Sequence, residues 1–160
     1  MQLKKWCLLA FLLIFGQFAA QLALSQTSIV KKSGNPVEAG DVEWGRDLDA
    51  ALQESGATGM PVFVLFQEIP GCIGCQTFGK EVLTNPLLVE AVETLFIPVL
   101  VYNNRPGTPD QKWLRRYREP AWNYQVIRFL DSDGSDIIPR KDRVWSVGGV
   151  AERMVEVLKK

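Results

Sequence analysis

Two runs of consecutive apolar residues, PVFVLF at 61–66 and IPVLV at 97–101, limit what this chain can fold into. Strand-forming residues without polar alternation indicate strands that are covered on both faces, as inside a parallel sheet. Helical patterns lie before, between and after these runs, and Asp133 with Gly134 marks the turn of a predicted β-hairpin at 125–138. The predicted order is α, β, α, β, α, β, β, α. It indicates an α/β fold whose sheet carries helices on both faces and closes in a hairpin and a C-terminal helix.

Residues that start and stop helices place most of these elements. Asn85 can cap a helix that has Pro86 at its first position, and Ser146 can cap the last helix. A short helix is expected to end at Pro120. The sequence QTFGKEV at 76–82 can form a helix directly after the first buried strand.

The N-terminal 25 residues have the layout of a secretory signal peptide. Lys4 and Lys5 precede an apolar run at 6–15, and small residues follow at the positions that a signal peptidase reads, with Ser25 last. We therefore expect residues 1–25 to be removed and the protein to be exported to the periplasm or the extracellular space. An uncleaved membrane anchor is the alternative, although glycine and glutamine interrupt the run before the ~20 apolar residues that a span needs.

Removal of residues 1–25 leaves 135 of the 160 residues, enough for one domain with a single core. Residues 26–41 are predicted to form a polar, loosely held lead-in, and 42–160 the folded domain. Two of the 18 basic residues are lost, which leaves 16 against 18 acidic residues and a net charge of −2. Nucleic acid and acidic membranes are therefore not expected partners. Contact with a membrane is expected only through an uncleaved signal peptide.

Cys72 and Cys75 form a C-x-x-C pair in a chain without histidine. They lie between the first buried strand and the helix predicted at 76–82, so Cys72 is expected near the helix N-terminus and Cys75 one turn further on. Unpaired N–H groups and the helix dipole favour an anion there, and the thiolate is the nucleophilic form of cysteine. The first sulfur is expected to be exposed and reactive, and the second to point toward the helix body. Such a pair suits thiol–disulfide exchange, in which the first thiolate attacks and the second resolves the mixed disulfide.

Other interpretations of the pair remain open. A structural disulfide would close so short a loop that it adds only about 2 kcal/mol. A structural zinc site normally takes four Cys or His ligands, which this pair does not supply. No metal site and no cofactor are predicted. Two thiolates suit Cu(I), but no cluster of methionine or histidine supports such a site. A redox-inert module, whose partner docks at AWNYQ (121–125), is the alternative from another functional class.

A buried strand, a C-x-x-C motif that opens a helix, and a closing hairpin and helix resemble the thioredoxin superfamily over residues 42–160. The segments PVFVLFQEIPGCIGC, YNNRPG, EPAWN and RFLDSDG are similar to a group of exported bacterial thioredoxin-like proteins and selenoproteins, whose motif reads Val-Pro-Gly-Sec/Cys-x-x-Thr/Cys. The resemblance implies a central mixed sheet and a thiol–disulfide oxidoreductase that acts on a protein thiol or disulfide, with a separate electron donor or acceptor. It makes Cys72 the equivalent of the nucleophile, whereas Cys75 lies where that group often has threonine.

The resemblance also guides the choice of further site residues. Glu68 is the carboxylate nearest to the motif and could relay a proton to or from Cys75, a role that the superfamily gives to a buried acid where this chain has Phe66. The superfamily usually has a cis-proline where this chain has Gln125, so the substrate-facing loop is expected to differ in shape. The candidate residues of a substrate groove are Pro70, Gly71, Trp122, Tyr124 and Gln125.

The layout of residues 1–25 leads to a prediction about processing. Intact-mass analysis of the protein from its exporting host should give a chain that starts near Gln26, because a signal peptidase cuts after small residues that follow an apolar run. Recovery of the full-length chain from the membrane fraction would establish an anchor instead.

Overall fold

The sheet at the centre of the protein is built around its first strand, which is buried along its whole length. A computed structural model describes residues 34–121 and 125–160, and within these ranges the sheet has four strands in the order β2-β1-β3-β4. The first two pair in parallel, and the other pairs are antiparallel, so the predicted mixed sheet is confirmed. The strands are β1 (Val62–Gln67), β2 (Ile97–Tyr102), β3 (Val126–Leu130) and β4 (Lys141–Asp142).

Helices cover both faces of this sheet, as predicted. They are α1 (Leu48–Thr58), α2 (Ile73–Glu81), α3 (Pro86–Leu95), α4 (Asp110–Tyr117) and α5 (Val147–Val157). Asn85 caps α3 by accepting from the Leu88 N–H at 3.1 Å, and Ser146 caps α5 by accepting from Gly149 at 3.1 Å. The single helix counted between the first two strands is in fact two, α2 and α3. Asp47 caps α1, which begins at Leu48.

Alternate side chains of β1 belong to two separate cores. Phe63 and Leu65 pack with residues of α2, α3 and α5, whereas Val62, Val64 and Phe66 pack with residues of α1 and α4. The ring of Phe63 lies 4.9 Å from that of Phe129, edge to face. Complete burial of such a side chain contributes about 1.5–3 kcal/mol to stability. The two cores together hold β1, and therefore the segment that follows it, in one position.

The C-terminal hairpin has the predicted turn but a different second strand. The chain turns at Gly134, where φ is +79°, and Asp136 then makes only an isolated bridge to Leu130. Regular pairing with β3 resumes at Lys141–Asp142. Pro139 has no N–H to give to a ladder, so the pairing does not run without a break from the arm expected to end at residue 138 into β4.

A group of charged side chains around the buried pair Arg128 and Glu119 ties this hairpin to the end of α4. The guanidinium of Arg128 donates to Glu119 at 2.7 Å and to the backbone oxygen of Tyr117 at 3.1 Å, and it also pairs with Asp136. Arg140 donates to the other oxygen of Glu119 at 3.0 Å. Because a buried charge that loses its partner is costly, these pairs constrain the path of the hairpin toward β4.

Part of the predicted lead-in is packed rather than loosely held. A 3-10 turn (Val37–Ala39) lies against α2 so closely that a Cβ on Gly79 would be 1.9 Å from the backbone oxygen of Val37. The backbone N–H of Asp41 donates to Leu83 at 2.9 Å. These contacts extend the folded part of the chain toward the N-terminus beyond the expected start at residue 42.

The predicted signal peptide, residues 1–25, lies outside the described residues. In the ranges 34–121 and 125–160, none of the helices combines the length and the apolar character needed to cross a bilayer.

Candidate dithiol active site

The two cysteines lie at the start of α2, as predicted. Cys72 is the N-cap residue, with φ −65° and ψ 169°, and the helix begins at Ile73. The Sγ atom of Cys72 accepts from the backbone N–H of Cys75 at 3.4 Å. A sulfur in this position takes the place of the oxygen of an ordinary capping side chain and meets the positive end of the helix dipole.

The environments of the two sulfurs differ sharply. Cys72 is exposed, whereas Cys75 retains only 1% of its accessible surface. Both thiols are free, and their sulfurs lie 3.1 Å apart. The sulfurs are therefore in contact without being bonded, in a pair of which only one member faces solvent.

The pKa of the Cys75 thiol is raised to about 12, mainly by burial. The hydrogen bond to Cys72 and the negative charge of that sulfur contribute to this rise, and the carboxylate of Glu68 does so to a smaller extent. Near neutral pH, Cys75 therefore holds its proton. A base must take that proton before Cys75 can act as a nucleophile.

Glu68 directly follows β1, and its carboxylate faces the pair. It accepts from the backbone N–H of Cys72 at 3.3 Å. One carboxylate oxygen and the two sulfurs all lie within 4.8 Å of one another. These three side chains could also offer three ligands to a soft cation, whereas a structural zinc site takes four protein ligands.

The loop between β1 and the cysteines is braced by the YNNRPG segment. Asn104 accepts from the backbone N–H of Ile69 at 3.1 Å and donates to the backbone oxygen of Pro70 at 2.9 Å. Arg105 donates to the backbone oxygen of Ile69 at 2.8 Å. The Ile69–Pro70 peptide bond in this loop is cis. Three side-chain hydrogen bonds therefore fix the backbone just before the candidate nucleophile.

Glu38 is a site residue that the sequence did not indicate. It comes from the 3-10 turn, is only 3% exposed, and accepts from the backbone N–H of Gly71 at 2.7 Å. A Cβ on Gly71 would lie 2.3 Å from the backbone oxygen of Glu68 and 2.7 Å from the Cβ of Cys75, so only glycine fits there. Glu38 is 33 residues away in sequence from the glycine that it holds, and no local pattern links the two.

The resemblance to the superfamily places a buried acid where this chain has Phe66. A buried polar side chain of this chain lies one residue later, at Gln67. Phe66, at that position, is fully buried in the core formed with α1 and α4. Gln67 is also fully buried and donates to the backbone oxygens of Glu38 at 3.2 Å and Cys75 at 3.4 Å. The amide of Gln67 thus connects the end of β1 with the 3-10 turn and with α2.

The predicted groove residues have different outcomes. Pro70 is exposed near Cys72, and Gly71 is half-buried beneath it. Trp122 and Tyr124 lie outside the described residues, as does the peptide bond before Gln125. The side chain of Gln125 is fully buried, and it both accepts from and donates to the backbone of Val144 at 3.0 Å, so it does not face solvent.

The different environments of the sulfurs predict unequal alkylation. With limiting iodoacetamide near neutral pH, the reduced protein should be labelled on Cys72 well before Cys75, because Cys72 is exposed and the pKa of Cys75 is raised to about 12. Peptide mass mapping measures the order, and labelling in denaturant, where both thiols are accessible, serves as the control. Equal labelling of the native protein would contradict this geometry.

Comparisons with known proteins agree with the fold. The sequence model of the family described as thioredoxin-like matches residues 43–132, more than half of the chain. Comparison with curated protein sequences gives no significant match. Among solved structures, the DsbH oxidoreductase is 15% identical over 88% of this chain and 98% of its own, with a TM-score of 0.61. The solution structure of a thioredoxin from Thermus thermophilus is 24% identical over 73% of this chain and 87% of its own, with a TM-score of 0.58. This chain therefore belongs to the thioredoxin-like family.

Proposed function

We propose that this protein is an exported thiol–disulfide oxidoreductase in which Cys72 attacks and Cys75 resolves. A thioredoxin-like fold with a C-x-x-C pair at a helix N-terminus fits a thiol oxidoreductase. The observation that carries the proposal is the contact, at 3.1 Å, between one exposed and one buried free thiol. The structural similarity to a protein titled an oxidoreductase supports the same activity.

The first step forms a mixed disulfide. The thiolate of Cys72 attacks one sulfur of a partner's disulfide, a new S–S bond forms, and the partner's other sulfur leaves as a thiolate that takes a proton from solvent. Cys72 suits this role because it is exposed, and because the N-terminus of α2 stabilises negative charge on its sulfur.

The second step releases the partner. Cys75 loses its proton, its sulfur attacks Cys72, and the partner's remaining sulfur leaves as a thiolate. Overall, the partner's disulfide is reduced to two thiols while the protein's dithiol is oxidised to a disulfide. A dithiol protein in the same compartment must then return the pair to the reduced form, and the reverse sequence would oxidise a partner.

Glu68 is proposed as the base for this second step. Its carboxylate lies within 4.8 Å of both sulfurs, a distance that one water molecule can bridge. The raised pKa of Cys75 makes such a base necessary near neutral pH.

Export is supported by the sequence of residues 1–25 and by the chemistry of the pair. Disulfides of protein partners persist in oxidising compartments such as the periplasm and the extracellular space. The proposed partners are therefore exported proteins that contain a thiol or a disulfide.

The proposed division of roles predicts which variant traps a partner. Cys75→Ser should accumulate a covalent mixed disulfide with the natural partner, because Cys72 can still attack while the intramolecular release is lost. Cys72→Ser should trap little, because Cys75 is buried. The measurement is a non-reducing gel of exported host proteins, followed by identification of bands that disappear on reduction.

The two variants are matched controls, since both lose the same short disulfide and about the same small stability. Wild-type protein should cycle between reduced and oxidised forms with dithiothreitol and hydroxyethyl disulfide. A wild-type pair that does not cycle would rule out the oxidoreductase and favour the redox-inert binding module.

The Glu68→Gln variant distinguishes a proton relay from a carboxylate that acts only through its charge, because the two roles change the rate of attack by Cys75 in opposite directions. The carboxylate raises the pKa of Cys75, so loss of its charge alone would lower that pKa and speed the attack of Cys75. Loss of a relay should slow the attack by about tenfold or more. Stopped-flow release of a coloured thiol from a preformed mixed disulfide on Cys72 measures this step, with Cys75→Ser as the baseline. Faster release in Glu68→Gln would contradict the relay.

A further inference from the structure

Trp145 lies beside the candidate nucleophile although it is far from it in sequence. A Cβ on Gly74 would lie 3.8 Å from the Cys72 Sγ atom and 3.9 Å from the Cη2 atom of Trp145. The sulfur and the edge of the indole ring therefore face the same small space above the first turn of α2. Trp145 is 43% exposed, so part of its surface is accessible to a partner.

The position of Trp145 is fixed from three directions. Its ring packs edge to face on Phe78 of α2, with 5.8 Å between ring centres. The backbone of the preceding residue, Val144, both donates to and accepts from the buried amide of Gln125. The following residue, Ser146, caps α5. The indole is therefore a fixed part of the surface around Cys72 and not a freely rotating side chain.

Ile73 provides a second apolar contact next to the sulfur. It follows Cys72 directly and is 81% exposed. Most other large apolar side chains that are exposed in the described ranges lie on α3 and at the end of the chain around α5. Cys72 thus has an exposed aliphatic residue next to it in the chain and an exposed indole across the first turn of α2, on the surface that a partner's disulfide approaches.

We propose that Trp145, together with Ile73, selects polypeptide partners that have an apolar side chain adjacent to the reacting cysteine. The inference rests on the proposed oxidoreductase function and names the partner's chemistry. An apolar side chain beside the partner's sulfur covers the exposed indole in the mixed disulfide and in the transition state that leads to it, whereas a polar side chain loses hydration there. Gln125 is a positioning residue for this surface, because its amide holds Val144.

The test reaction needs no oxidant or reductant other than the peptide disulfide and the protein dithiol. The thiolate of Cys72 attacks a symmetric peptide disulfide, one peptide leaves as a thiolate that is protonated by solvent, and Cys75 then displaces the second peptide. Each turnover converts one protein dithiol and one peptide disulfide into one protein disulfide and two peptide thiols.

The experiment compares symmetric disulfides of two uncharged peptides, acetyl-Leu-Cys-Leu-amide and acetyl-Ser-Cys-Ser-amide. The measured quantity is the ratio of their second-order rate constants for oxidation of the reduced, mature protein. The wild type should prefer the leucine peptide by about tenfold, and Trp145→Ala should lose most of this preference. The ratio cancels any change in the intrinsic reactivity of Cys72. Trp145→Phe should keep part of the preference because an aromatic ring remains.

Leu87→Ala is the matched control, because it removes an apolar side chain that is 77% exposed on α3. This variant should keep the wild-type ratio. Ile73→Ser, at a more exposed position, provides a second test of the surface if Trp145→Ala does not fold, and it should also lower the ratio.

Hydroxyethyl disulfide separates the two possible failures. A reduced wild-type protein that does not react with hydroxyethyl disulfide or with either peptide would overturn the proposed function itself. A protein that reacts with all three but shows no preference for leucine, or keeps its preference in both Trp145→Ala and Ile73→Ser, would overturn only this inference.

Discussion

Burial of β1 on both faces is the constraint on which the site depends. Its alternate side chains belong to two separate cores, so a shift of the strand by one residue would place each side chain in the other core and disrupt the packing of both. The short loop that follows is fixed at its other end by the start of α2. The position of the candidate nucleophile is therefore set by a strand that is buried along its whole length.

The start of α2 places the two sulfurs in different environments, and the chemistry of the pair follows from this difference. One sulfur caps α2 and faces solvent, and the other lies in the first turn and is buried, with its pKa raised to about 12. In the proposed exchange, a partner meets only Cys72, and Cys75 becomes a nucleophile only after its proton is removed. The same burial that protects Cys75 from outside reagents creates the need for a base, the role proposed for Glu68, so the proposed order of attack and the proton requirement have one physical cause.

Local sequence signals predicted the parts of the structure that depend on local physics. The caps at Asn85 and Ser146, the buried strand β1 and the helix start at Cys72 each follow from a few neighbouring residues. The contact of Glu38 with Gly71 did not follow, because it joins residues that only the tertiary fold brings together. The second strand of the hairpin was misplaced although its signals are local. The apolar pattern ends at residue 138, whereas Asp136 makes only an isolated bridge to Leu130 and regular pairing lies beyond Pro139, at Lys141–Asp142.

Gln125 shows how a departure from a family pattern can be compensated by a side chain. Proline at this position would offer no side-chain amide, whereas Gln125 both accepts from and donates to the backbone of Val144. That clamp extends the pairing of β3 and β4 by one more residue and places Trp145 against Phe78. The surface around Cys72 is therefore shaped from the hairpin side by a buried amide, which holds the residue that precedes the indole.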